Sequence, residues 1–284
     1  MTVTTEPVGA LLRGWRERRR RSQLDVSIAA DVSTRHLSYI ETGRANPSRE
    51  MIERLCDELD VPLRERNTLY LAAGFAPAHA ERPFTDLGAA GDAVRSVLAG
   101  QEPNPSLAVN VCWELLAANR AMSAFLRGVP AELTRPAINV LRVTLHPDGL
   151  ARRIRNLAQW RRHVLRRVRR QLDRTAAPGL AELLAELEGY PDALPGGASE
   201  SSGPGESGES GGPEPAARAG GADRSPIDDI AVPMRMATEY GDLALLYTTT
   251  VFGSPRDVTL DEIAVETFYP ADPATADLLR ALAE

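Results

Sequence analysis

The side chains best equipped for chemistry in this chain are four histidines, two cysteines and a basic complement made of arginine alone. His36, His79, His146 and His163 are scattered, and no metal-ligand spacing joins them to one another or to Cys56 and Cys112. No glycine loop that could cradle phosphate and no nucleophile elbow occurs. The HPDG run at His146–Gly149 reads as a turn, because Pro, Asp and Gly are turn formers. These residues predict no enzyme, no metal and no cofactor. Two cysteines are too few for a disulfide framework and are expected as small core residues.

Arginine remains, and its distribution is uneven. The net charge of -6 conceals a basic stretch at 9–49, with nine arginines against four acids, followed by an acidic one at 50–81. Residues 151–174 hold ten arginines and one acid, whereas 175–284 hold five arginines and twenty acids. An acidic balance with this segregation is compatible with nucleic-acid binding. The arginines of 151–174 surround an apolar stripe of Ile154, Leu157, Trp160, Val164, Leu165, Val168 and Leu172. That pattern predicts a long amphipathic helix over about 150–174 facing water or the acidic C-terminal part; a second DNA-backbone patch or an anionic membrane surface are its other readings.

The elements that must position these groups fall into two domains. Five short helical patterns fill 8–74, with Val8, Leu11, Leu12 and Trp15 on one face of the first and Val26, Ala30, Leu37 and Ile40 serving the next two. Ser48 caps the fourth, and Pro62 opens a fifth that stops at Gly74. Residues 1–80 therefore read as an all-α domain. Residues 81–103 read as a connector with a helix near Leu87–Ala99. From 104 to 284 strands and helices mix. Leu107–Leu126 reads strand, turn, strand and an Asn119-capped helix, and strands are expected at Ile230–Thr238, Leu243–Phe252 and Ile263–Phe268. A Gly/Ser/Pro-rich insertion at 196–226 is expected to be disordered. No long apolar run or secretory pattern appears, so a cytoplasmic protein without stable membrane insertion is expected.

The segment Ser22–Ser48, SQLDVSIAADVSTRHLSYIETGRANPS, resembles the lambda-repressor-like (XRE) helix-turn-helix family. The resemblance implies binding of double-stranded DNA, as a homodimer over two half-sites. Ser33 would cap the recognition helix, with Thr34, Arg35, Ser38 and Tyr39 facing bases; Arg35 is the leading candidate, since arginine bonds guanine bidentately. Gln23 and the loop residues Thr42, Arg44 and Asn46 would approach phosphates, and Asp31 stands where the turn usually has glycine. The same resemblance pairs Arg16 with Glu41 as a structural ion pair.

Further along, VPLRERNTLYLAAGFAPA, WELLAANRAM, NVLRVTLHPDGLARRIRNLAQW and TTTVFGSP resemble regulators with an MmyB-like ligand-binding domain. That likeness implies an α+β PAS-like fold around an apolar pocket and a fatty-acid-like small molecule as ligand. Asn139, Arg142, Asn156 and Trp160 are the candidate anchors. A second reading gives this domain to dimerisation or protein interaction without a ligand.

Overall fold

The structure is a computed structural model and describes residues 6–192 and 231–283. The insertion expected at 196–226 lies outside the described residues.

The first five helices are α1 (Val8–Arg18), α2 (Gln23–Ala29), α3 (Thr34–Glu41), α4 (Arg49–Glu58) and α5 (Leu63–Ala72). Their ends follow local chemistry. Ser22, Ser33 and Ser48 each accept a backbone N–H at the start of a helix, satisfying one of the donors a helix leaves orphaned. Asp31 adopts φ 51° in the α2–α3 turn, a left-handed conformation that Asp tolerates better than most residues. The core joins Leu12, Trp15, Val26, Leu37, Ile40, Ile52, Leu55 and Leu69. Each such side chain, fully buried, contributes roughly 1.5–3 kcal/mol before ordering entropy is charged. Gly9 sets the spacing of α1 on α3, because a Cβ there would lie 2.0 Å from the carbonyl oxygen of Ile40.

The second region is built on a five-stranded antiparallel sheet in the order β2-β1-β5-β4-β3. The strands are β1 (Ser106–Val109), β2 (Leu115–Ala118), β3 (Met234–Thr238), β4 (Gly241–Val251) and β5 (Ala264–Pro270). Alternation decides which side chains share a face. Leu107, Val109, Leu243, Leu245, Met234 and Met236 join the larger core under the helices, whereas Ala108 and Val265 belong to the opposite face. That opposite face is covered by α6 (Ala89–Ala99), whose Val94 and Leu98 pack with Ala108, Ile263 and Val265. The helix within 81–103 is thus seated on the sheet. The larger core is closed by α7 (Arg120–Phe125), α9 (Val140–Leu145), α10 (Leu157–Thr175), α11 (Leu180–Glu188) and α13 (Pro273–Ala283), with short α8 (Ala131–Thr134) and α12 (Val258–Asp261) at the periphery.

The arginine-rich helix begins later than its amphipathic pattern predicts. Ile154 forms a bridge with Met236, the Arg155 N–H donates to the carbonyl of Arg235, and Asn156 Oδ1 accepts the Arg235 N–H. Edge strand β3 therefore takes the backbone groups that a longer helix would have used, and α10 starts at Leu157.

The two regions are docked. Arg64 on α5 grips Glu262 through two N–H···O bonds of 2.6 and 2.9 Å, and the Leu63 N–H donates to Asp261. Arg18 donates to the carbonyls of Leu172 and Asp173, and Arg19 to that of Arg174, so basic side chains at the end of α1 sit on the negative end of the α10 dipole.

Candidate DNA-reading surface and ligand cavity

The helix-turn-helix is held by a small polar knot. Arg16 donates to both carboxylate oxygens of Glu41, at 2.7 and 2.9 Å, and to the carbonyl of Arg21. The Gln23 amide donates to the same carboxylate at 2.8 Å. Glu41 is buried, and its hydrogen bond to Arg16 raises the pKa of that guanidinium. Gln23, read from the sequence as a phosphate contact, thus has its amide N–H engaged inside the motif. Ser27 and Thr34 share a hydroxyl hydrogen bond of 2.8 Å, which ties α2 to the first turn of α3 and engages the Thr34 hydroxyl.

The outer side of α3 is different. Arg35 is exposed, its Nε donates to the Tyr39 hydroxyl at 3.0 Å, and its guanidinium lies 5.3 Å from the Tyr39 ring centre. Arg44 approaches the same ring at 5.9 Å, so Tyr39 stands between two cations. Neither arginine has a carboxylate partner among the described residues. Ser33 caps α3 through a bond from the His36 N–H, Ser38 is half-buried, and Thr42, Arg44 and Asn46 are exposed after Glu41. Gly43 takes φ 72°, where a side chain would be strained.

The second site is internal. A cavity of ≈ 60 Å³ lies between the inner face of the sheet and helices α7, α9 and α10. Its wall is mostly apolar, with Leu107, Met122, Phe125, Leu141, Val164, Met236 and Leu245 prominent. One part of the wall is polar. Arg167 from α10 forms an ion pair with Glu266 from β5 and lies 4.5 Å and 5.0 Å from the ring centres of Trp113 and Tyr247. Burial pushes the Glu266 carboxyl up, opposed by Arg167. Tyr247 also hydrogen-bonds the imidazole of His163. Trp160 lines the cavity, and its buried indole N–H has no hydrogen-bond partner among the described residues.

Of the four anchors read from the sequence, Trp160 alone is on the cavity wall. Asn139 caps α9 and donates to the Cys112 carbonyl. Arg142 grips Glu186 bidentately at 2.6 and 2.7 Å. Asn156 joins β3 through Pro233 and Arg235. The polar residues that do line the cavity were missed. Their signal was an acid, Glu266, in an apolar strand opposite an arginine-rich helix. The cysteines are unsuited to nucleophilic work: burial raises the Cys56 thiol to about 12, and the half-buried Cys112 thiol is raised by the same cause.

Comparison with known proteins bears on both sites. Residues 7–69 match the model of a helix-turn-helix domain, and residues 90–199 match that of the MmyB-like transcription regulator ligand binding domain. The transcriptional regulator ClgR of two strains of Mycobacterium tuberculosis is 40% identical over 80 residues, covering 28% of this chain and 69% of that protein. The chain belongs to the helix-turn-helix transcription regulators. It combines an all-α DNA-binding module with an α+β ligand-binding domain, and membership of this family makes catalysis an unneeded explanation. Among the described residues no His/Cys/Asp/Glu group could hold a metal ion, and no helix is long and apolar enough to cross a membrane.

Proposed function

We propose that this regulator reads duplex DNA in the cytoplasm as a homodimer and that a fatty-acid-like molecule in the cavity sets its DNA affinity. In this reading Arg35, with Thr34, Ser38 and Tyr39, contacts base edges from α3. Ser33, Thr42, Arg44 and Asn46 contact phosphate, and Gln23 does so through the acceptor side of its amide or its backbone. Arg16 and Glu41 fix the geometry of the motif. The observation that carries the ligand reading is the apolar cavity with Arg167, Glu266, Tyr247 and an unpartnered Trp160 N–H on one part of its wall.

The chemistry suits an acid. A guest carboxylate would compete with Glu266 for Arg167, and a buried carboxyl whose pKa is already raised takes a proton more readily than an exposed one. The Trp160 N–H would gain an acceptor. At ≈ 60 Å³ the cavity is narrower than the roughly 300–1,000 Å³ typical of ligand pockets, so an acyl chain must spread its walls on entry. That narrowness also favours the second reading, in which the domain mediates dimerisation or protein interaction without a ligand.

The experiment is to strip the protein of lipid, titrate medium- and long-chain fatty acids, and follow melting temperature and DNA affinity in the same samples. The ligand reading expects stabilisation together with a change of about 5- to 150-fold in affinity, the usual range of allosteric coupling. No stabilisation by any acyl ligand, and no apolar molecule retained on purification, would leave the second reading in its place.

A further inference from the structure

The arginines of α10 divide into two sets. Arg161, Arg167 and Arg169 close ion pairs with Asp192, Glu266 and Glu188. Arg162, Arg166, Arg170 and Arg174 recur every fourth residue, are all exposed, and have no carboxylate partner among the described residues. At 1.5 Å per residue they stand about 6 Å apart along one ridge of the helix. Like charges at this spacing repel and weaken the helix. The dipole can offset that only in the last turn.

The ridge runs toward the helix-turn-helix module. Arg170 and Arg174 open onto a cleft shared with Arg18, Arg19 and Arg20, where the acids are Glu17 and Asp173. Glu17 is already bonded to Arg13. Arg18 spends its hydrogen bonds on the carbonyls of Leu172 and Asp173, which neutralise no charge. Arg20, exposed at φ 54°, stands three positions before the start of α2 at Gln23, and in a helix-turn-helix the first helix of the motif crosses the DNA backbone.

We propose that this ridge, continued by Arg18 and Arg20, binds the phosphate backbone of duplex DNA flanking the base pairs read by α3. The inference rests on the DNA-binding reading above and extends it to the second domain: the footprint is assembled from both domains and exists while they are docked. A membrane surface is the poorer fit. The apolar stripe of α10, with Trp160, Val164, Leu165 and Val168, is buried inside the domain and leaves nothing to insert among lipids.

The test compares full-length protein with the Arg170→Gln/Arg174→Gln variant on random-sequence duplexes. One is about 40 base pairs long and the other about 12, roughly one helical turn beneath α3. Anisotropy is followed as salt is raised, because each phosphate contact adds about -0.9 to the slope of log K against log salt. On the long duplex the variant should show a slope shallower by about 2, with weaker binding at low salt and a melting temperature that does not fall. On the short duplex the two proteins should agree. Arg170→Lys/Arg174→Lys should restore most of the slope, since point charges suffice. An unchanged slope on the long duplex, or equal losses on both lengths, would overturn the proposal while leaving α3 as the DNA reader. Wild-type protein that binds neither duplex would overturn both. Binding of the ridge to anionic phosphatidylglycerol vesicles, lost in the variant while duplex binding is kept, would also overturn it.

Discussion

In the helix-turn-helix module Arg35 and Arg44 stand at the surface flanking Tyr39 with no carboxylate partner among the described residues, whereas in the α+β domain Arg142 and Arg167 are held by Glu186 and Glu266. The same residue type therefore forms an outward-facing site at Arg35 and Arg44 and ties elements together at Arg142 and Arg167. What distinguishes them is the supply of acids nearby. Residues 9–49 hold few, and Glu41 is taken by Arg16 and Gln23; the later part of the chain is acidic and folds back on α10. A basic run in sequence predicts a polyanion site when the fold leaves its charges unpaired.

The sharpest way to break this contrast is Arg16→Ala, an arginine of the module that holds a buried carboxylate. It leaves Glu41, whose side chain is 2% exposed, without its main partner. Breaking a buried pair costs about 3–5 kcal/mol, and the lower end is expected because the Gln23 amide still donates to Glu41. Thermal melting should show the loss, with DNA affinity falling alongside. A variant that melts normally but binds DNA poorly would place Arg16 on the outward-facing side of the comparison.

Gly9→Ala attacks the module by shape instead of charge. The new Cβ meets the Ile40 carbonyl at 2.0 Å, a backbone atom that cannot swing away, so α1 must move off α3. A loss of about 3 kcal/mol is expected, the upper part of the range for overpacking. Tryptophan fluorescence should report early melting of the module, which contains Trp15, while the domain holding Trp113 and Trp160 melts later. One unshifted transition would contradict the packing argument.

The two regions also differed in how far the sequence revealed them. Serine caps at 33 and 48, Asp31 and Gly74 at turn positions, and apolar residues three and four apart are local signals. They gave five helices and their order. The cavity was legible only as a container. Its polar wall joins Arg167 to Glu266, far apart in sequence and on separate elements, and no local pattern couples them. Asn139, Arg142 and Asn156 carried suitable chemistry, but capping, Glu186 and β3 had already claimed their hydrogen bonds.

On the DNA side, Arg35→Ala should cost about 2 kcal/mol at a preferred site and relax preference at one base pair, as expected for lost bidentate readout. Arg44→Ala should weaken preferred and random sequences alike, by about 1 kcal/mol, with a shallower salt dependence. Equal behaviour of the two variants on both kinds of DNA would erase the division between base-reading and phosphate-holding arginines.

The smallest effect expected is on pH dependence, and it separates the regions through their histidines. Burial, then the neighbouring Arg167, Arg166 and Arg170, lower the pKa of His163 below its ordinary 6.5, while burial, then Arg66, lower that of His79. The unfolded chain then takes up protons as pH falls through 6.5 while the folded one resists. Stability is therefore present above that value and lost below it. Glu266 acts oppositely: its carboxyl is raised by burial, so in the window above 4.5 the folded state holds the proton more tightly and acidification favours it. Melting temperature should fall between about pH 7 and pH 5. His163→Gln should flatten the fall for the α+β domain, His79→Gln for the helical module, and Glu266→Gln should steepen the former by removing its counterweight. If His163→Gln and Glu266→Gln shift the profile in the same direction, His163, bonded to Tyr247 behind the cavity wall, and Glu266 on that wall titrate as one coupled unit, and the separate roles given to imidazole and carboxyl are wrong.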